Sequence, residues 1–169
     1  TDIDVIDPAT GASIPLVGDG VGAAGTFATV VPFGTWHVEV EPPLVAGLVA
    51  QRLLDRVVAG TLNLPVSLVA GRRVTGTVTS VLGTPVPGVN VDARRQFDLT
   101  EVFTPGDHTN LLGVYQMIVP SDTYRLVFKP DLPYAPGDSF VVDNQIVTTD
   151  RVINLALPGA SAVDDALLP

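Results

Sequence analysis

Residues 113–130 read Gly113-Val-Tyr-Gln-Met-Ile-Val-Pro-Ser-Asp-Thr-Tyr-Arg-Leu-Val-Phe-Lys-Pro130, and residues 25–42 read Gly25-Thr-Phe-Ala-Thr-Val-Val-Pro-Phe-Gly-Thr-Trp-His-Val-Glu-Val-Glu-Pro42. The two stretches align without a gap at an offset of 88 positions, the separation of Gly25 and Gly113. Phe27 stands against Tyr115, Pro32 against Pro120, Trp36 against Tyr124, and Val38 against Leu126. An internal repeat of this kind sets the architecture before any local reading does. In the second half of each copy, Tyr124, Leu126 and Phe128 alternate with Arg125, Val127 and Lys129, and Trp36, Val38 and Val40 alternate with His37, Glu39 and Glu41. A period of two is the mark of a strand with one buried and one wet face. Pro-Ser-Asp-Thr and Pro-Phe-Gly-Thr supply turn residues, so each copy predicts a β-hairpin with Trp36 and Tyr124 in equivalent buried places.

Working outward, Asp2 to Asp7 alternates and predicts a strand, with Val74 to Val81 as its expected counterpart. On that alignment the copies differ in length. The second copy then holds a strand at Val89–Ala93 and a long loop at 94–112 for which the first has no room. Leu44 to Gly60 carries apolar pairs with a helical look, but Leu53-Leu-Asp-Arg56 lies opposite the β-rich Val141-Val-Asp-Asn144. The repeat therefore predicts strands there, since tertiary context commonly overrides local propensity. The expected organisation is a shortened module over 1–69, a second module over 72–158 and a tail over 159–169.

Composition narrows the function classes. The chain has 169 residues, a net charge of −9, 16 glycines, 15 prolines and no cysteine. The acidic balance argues against nucleic acid as a partner. No apolar run is long enough to span a membrane as a helix. Disulfides, thiolate metal sites and a cysteine nucleophile are excluded by the missing cysteine. The sequence begins at Thr1 without an initiator Met, as expected of a processed or excised segment. The acidic surface, with Lys129 as the sole lysine, fits an extracellular or cell-surface setting.

The second copy carries Val-Thr-Gly-Thr-Val-Thr at 74–79, Gly-Thr-Pro-Val-Pro-Gly-Val-Asn-Val at 83–91, Gly-Val-Tyr at 113–115, Thr-Tyr-Arg-Leu-Val-Phe at 123–128 and Val-Ile-Asn-Leu-Ala-Leu at 152–157. This pattern resembles the carboxypeptidase regulatory-like domain. The first copy keeps Gly-Thr-Phe, Thr-Trp-His-Val-Glu-Val and a closing Ala-Gly-Thr-Leu-Asn-Leu-Pro-Val-Ser-Leu. The resemblance implies an all-β chain of two tandem transthyretin-like or Ig-like Greek-key β-sandwich modules. It implies a non-catalytic structural or adhesive module of an exported protein, as a subunit of an extracellular assembly or filament, with a carbohydrate-binding module as the alternative. Related surface domains join an early lysine to an asparagine. Lys129 comes late and the first copy has no lysine, so that cross-link is not expected.

No catalytic set has a recognisable spacing, and no cofactor is expected. His37-x-Glu39-x-Glu41 would place three candidate metal ligands on one strand face, which is equally the pattern of a solvated surface. Asp2, Asp4 and Asp7 with Asp19 form a candidate calcium set, though none of it fits an EF-hand loop. The better candidate is a recognition loop holding Arg94, Arg95, Phe97, Phe103, Asp107, His108 and Asn110, because long loops in compact domains are often functional. Phe97 to Phe103 as one more strand is the competing reading. Partners are expected to be protein, by self-association or through neighbouring domains, or carbohydrate. If the first module lacks a strand at the place of Val89–Ala93, its open edge would recruit another. The tail, apolar at Val163, Leu167 and Leu168, is the candidate donor for assembly.

Overall fold

The computed structural model describes residues 1–16, 20–131 and 138–158. The chain is all-β, with ten strands and one 3₁₀ turn among the described residues. Two compact units are present. The first is Thr1–Arg72 with Phe103–Pro105 and Ile118–Pro120, and the second holds Arg73–Val102, Gly106–Met117 and the residues from Ser121 on.

The first unit contains β1 (Asp2–Ile6), β2 (Gly34–Glu41) and β3 (Gln51–Val58) in one antiparallel sheet, ordered β1-β2-β3. Ile3, Val5, Val38 and Val40 form its buried cluster, on the face opposite Asp4 and Glu39. The second unit is a two-sheet sandwich. One sheet is β5 (Asn90–Arg95), β7 (Asp122–Lys129) and β8 (Phe140–Val147), again antiparallel. The other is β10 (Leu155–Leu157), β4 (Arg72–Ser80) and β6 (Val114–Val119), with β9 (Arg151–Val152) also on β4. Between the sheets, Tyr115 and Phe128 meet edge to face with ring centroids 5.7 Å apart, the favoured aromatic geometry.

The hairpin reading of the repeat is overturned. β6 pairs with β4, whereas β7 pairs with β5 and β8, so the link at Pro120-Ser121 carries the chain from one sheet to the facing one. Alternation reports which face is buried and is silent about which strand lies alongside, so it fits an arch between sheets as well as a hairpin. In the first unit, residues 25–31 form no strand at all. Trp36 is only partly buried and donates its indole N–H to the Pro32 carbonyl at 2.9 Å, while Tyr124 is fully buried. These two are therefore equivalent in register and not in burial.

The alignment of Asp2–Asp7 with Val74–Val81 is also overturned. β1 pairs with β2 as β5 pairs with β7: Ile3 faces Val40 and Val91 faces Phe128; Val5 faces Val38 and Ala93 faces Leu126. The original offset thus extends back to the first residue. Loop hydrogen bonds repeat at the same offset. Asp7 N–H donates to Ala12 O at 2.9 Å as Arg95 does to Thr100 O at 2.9 Å; Ile14 N–H donates to Val5 O at 2.8 Å as Val102 does to Ala93 O at 2.8 Å. Val21 N–H donates to Thr1 O at 3.3 Å as Thr109 does to Val89 O at 2.9 Å, and Gly22 to Thr26 O as Asn110 to Val114 O, both 2.9 Å. So the first unit does hold the Val89–Ala93 strand, as β1, and loop 94–112 has a full-length counterpart in the first copy. Missing from the described first unit is any counterpart of β4.

Local signals at 44–60 resolve as strand. Leu44–Ala46 is a single 3₁₀ turn and β3 follows at Gln51–Val58. Both central pairs carry the same irregularity. Register shifts between Trp36 and Val38 in one unit and between Tyr124 and Leu126 in the other. Each bulge places one residue at positive φ, Asp55 at 53° and Asn144 at 57°, the residue types that tolerate the left-handed region best after glycine. Asp55 therefore matches Asn144 and not Asp143, and the one-residue slip falls before β3 and β8.

The turn after the first strand offers a check on this frame. Gly11 lies at φ 71° and its counterpart Leu99 at φ 59°. A bulky residue in that region costs about 1–2 kcal/mol, and glycine returns roughly 0.5–1 of that in chain entropy. Leu99→Gly is accordingly expected to leave the fold intact and to raise stability by up to ~1 kcal/mol in chemical denaturation. A loss of more than ~1 kcal/mol would mean that the Leu99 side chain packs more than its 46% exposure indicates.

Candidate functional site

The residues singled out in loop 94–112 do not converge. Arg94 and Arg95 are successive on β5, so they project to opposite faces. Arg94 Nη2 lies 3.2 Å from Asp92 Oδ2 and 3.1 Å from Glu101 Oε2, and Arg95 Nη1 lies 2.7 Å from Asp122 Oδ2. Phe97 stands at the tip of the turn and is 99% exposed. Phe103 belongs to the first unit, where the Arg52 guanidinium sits 4.3 Å from its ring centroid. His108 is exposed, with Nδ1 3.4 Å from Asp107 Oδ1. Asn110 is a turn former: its Oδ1 accepts from Leu112 N–H at 2.9 Å and Val114 N–H at 3.1 Å. Residues 97–103 form no strand, only a single bridge of Arg94 with Glu101. Val163, Leu167 and Leu168, and Asp19, lie outside the described residues.

The candidate ligand sets are divided as well. His37 Nδ1 accepts from Asp55 N–H at 3.2 Å, which ties the ring to the bulge. Asp7 is a turn residue, its two carboxylate oxygens taken by Ala9 N–H at 2.9 Å and Thr10 Oγ1 at 3.0 Å. Among the described residues, no group of three or more His, Cys, Asp or Glu is arranged to hold a metal ion.

Strand pairing instead assembles two charge clusters on the outer sheet faces. In the second unit, the buried Asp92 carboxylate is held by Arg94, by Lys129 Nζ and by Asn90 Nδ2 at 2.9 Å. In the first unit, Asp2 lies opposite Glu41 and Asp4 opposite Glu39, so like charges face each other across β1 and β2. Arg52 Nε meets Glu39 Oε1 at 2.6 Å and offsets part of this repulsion. Partial burial, followed by the fields of Asp4, Glu39 and Asp2, raises the Glu41 carboxyl above its ordinary range, with Arg52 acting the other way. Asp2 and Glu41 also border a concavity of about 260 Å³, walled by Pro42, Leu44, Leu48 and Pro105. Sequence reading named Glu39 with Glu41 and Asp2 with Asp4 as separate candidate sets and missed that they face each other, as it missed the Asp92 cluster, because each depends on the register of β1 on β2 and of β5 on β7.

A scan of protein families finds no match to this chain, and a search of curated proteins finds none. Among solved structures, the Bacillus anthracis TIE protein is similar at a TM-score of 0.40 and 15% identity, over 93% of this chain and 30% of that one. The chain spans less than a third of that protein's length.

The raised Glu41 carboxyl has a signed consequence. Its folded-state pKa exceeds the unfolded one, so the folded state binds the proton more tightly and stability at this site falls as pH rises through the folded value. Acidification from neutral pH toward pH 4.5, the ordinary value, should therefore raise the unfolding temperature, and Glu41→Gln should flatten that rise. Asp7 and Asp98, held below their ordinary range by hydrogen bonds to Ala9 and Thr100, act in the opposite sense only at lower pH. An unchanged slope in the Glu41→Gln variant would place the repulsion elsewhere.

Proposed function

We propose that this chain is a non-catalytic structural module, a tandem of carboxypeptidase regulatory-like sandwiches that serves in an exported or surface-bound assembly and makes its contacts with protein. One observation carries the reading. The two copies share a backbone frame down to single loop hydrogen bonds, while three of four matched side chains on the outer sheet face differ. Where the first copy presents Asp2, Asp4, Glu39 and Glu41, the second presents Asn90, Asp92, Val127 and Lys129. A duplicated frame with divergent surfaces suits a building unit better than a duplicated reaction centre, in which the same side chains would recur.

The carbohydrate-binding reading has its own support in Phe97. An aromatic residue 99% exposed at the tip of a turn offers a stacking face for a sugar. Glycan arrays with the whole chain and with Phe97→Ala separate the two. The structural reading expects no glycan retained by the first that is lost by the second, together with reversible self-association in light scattering as concentration rises. A glycan bound selectively and released by Phe97→Ala would move the assignment to carbohydrate recognition. A strictly monomeric chain would remove the assembly part of the proposal.

A further inference from the structure

Large aliphatic side chains stand exposed on two turns at one end of the second unit. One turn follows β4 and carries Val81 and Leu82, 63% and 89% exposed; the other precedes β6 and carries Leu111 and Leu112, 86% and 69% exposed. The turns lie side by side. Val78 N–H donates to Gly113 O at 2.8 Å, and a Cβ on Gly113 would come within 3.3 Å of Pro85 Cα. Single exposed apolar residues are ordinary on a protein surface, whereas a cluster of them on adjacent turns marks a contact.

The first unit shows that the fold does not need these side chains. At the constant offset its turn is Gly22-Ala23-Ala24-Gly25 against Asn110-Leu111-Leu112-Gly113. The backbone is the same. Gly25 N–H donates to Gly22 O at 2.9 Å as Gly113 does to Asn110 O at 2.8 Å, and both glycines lie at positive φ, 73° and 70°. What differs is that alanines become leucines and Gly22 becomes Asn110, whose Oδ1 takes the Leu112 and Val114 amides. Ser80 does the same for the neighbouring turn. Its Oγ accepts from Leu82 N–H at 3.2 Å and from Thr84 N–H at 3.3 Å, while Gly83 N–H donates to Ser80 O at 2.9 Å. The amides of residues 82–84 and 112–114 are therefore bonded within their own turns. Such turns can enter a medium that offers no hydrogen bonds without stripping these donors of their partners.

Charge points the same way. Residues 80–91 and 109–120 carry no charged side chain, in a chain of net charge −9. A protein partner is selected by polar groups around an apolar anchor and by a matching shape. A lipid surface is selected by buried apolar area and needs no matching concavity. Asp131 is close to the base of the turns, its Oδ2 3.6 Å from where a Cβ on Gly88 would lie, and Gly88 N–H donates to Thr109 O at 2.9 Å. An anionic surface would repel that carboxylate and the acidic chain as a whole.

We infer that this end of the second unit is a lipid-docking tip: Val81, Leu82, Leu111 and Leu112 insert among the lipids of a zwitterionic surface, with Ser80 and Asn110 keeping the turn amides paired as they enter. The inference goes beyond the contacts with protein proposed above and does not rest on them.

The test floats the whole chain with phosphatidylcholine vesicles. The chain is expected to float with them, and a spin label carried by the lipid is expected to broaden the amide signals of residues 81–83 and 111–113 in NMR spectra. Leu111→Ala with Leu112→Ala gives the turn the alanine pair it has in the first unit, so the fold is kept. That variant is expected to partition at least about tenfold more weakly. Phe97→Ala removes an exposed aromatic residue beyond the other end of β5 and is expected to float like the unchanged chain. Adding phosphatidylserine to the vesicles is expected to weaken flotation. No flotation, equal flotation of the double alanine variant, an equal loss with Phe97→Ala, or stronger flotation with phosphatidylserine would overturn the inference. So would self-association in light scattering that the alanine pair abolishes and vesicles leave unchanged, since the tip would then join copies of the chain.

Discussion

The ladder around Arg72–Ser80 is the constraint on which the rest of the structure depends. A strand's N–H and C=O groups must be paired, and an apolar strip must be covered, before a sheet is complete. In the second unit β4 meets both demands for two neighbours at once. With it in place, β6, β9 and β10 are strands and the core closes over Tyr115, Tyr124 and Leu157. The matching segments of the first unit, residues 26–31 and 64–68, keep their inward side chains on the buried cluster but are not strands. The Gln51 side chain donates to Ser67 O at 2.8 Å and ties that segment to β3.

The three-stranded antiparallel sheet is the same in both units. β1-β2-β3 and β5-β7-β8 share register, bulge and turn. Their stability comes from inward β-branched and aromatic pairs, Ile3 on Val40 and Val91 on Phe128, which need only each other and a covering layer. The outer faces were free to diverge, and did so into an acidic surface on one unit and a neutralised one on the other. That divergence makes Glu41 a pH-sensitive point and leaves Asp92 held by two cations.

Much of this was legible in the sequence, and the gaps have physical causes. Alternation at Trp36–Val40 and Tyr124–Phe128 identified β2 and β7, and the repeat correctly chose strand over helix at Gln51–Val58. Strand partners were not legible, because side-chain period carries no information on which neighbour takes the hydrogen bonds. Val74–Val81 alternates more cleanly than Asn90-Val-Asp-Ala93, and so attracted the alignment of Asp2–Asp7, although Asp2-Ile-Asp-Val5 matches the latter at the constant offset. The loop residues were grouped by proximity in sequence. On a strand, Arg94 and Arg95 point apart, and Asn110 turned out to serve its own turn.

The account makes the two units one frame, with β4 holding β6 in the second and no β4 counterpart among the described residues of the first. Residue-resolved amide hydrogen exchange on the intact chain tests this most directly. Val114–Val119 should be protected to near the level of global unfolding, and the matched amides Thr26–Val31 should exchange orders of magnitude faster under the same conditions. Equal protection of the two segments would contradict the account, for residues 26–31 would then be held as firmly as the strand they match.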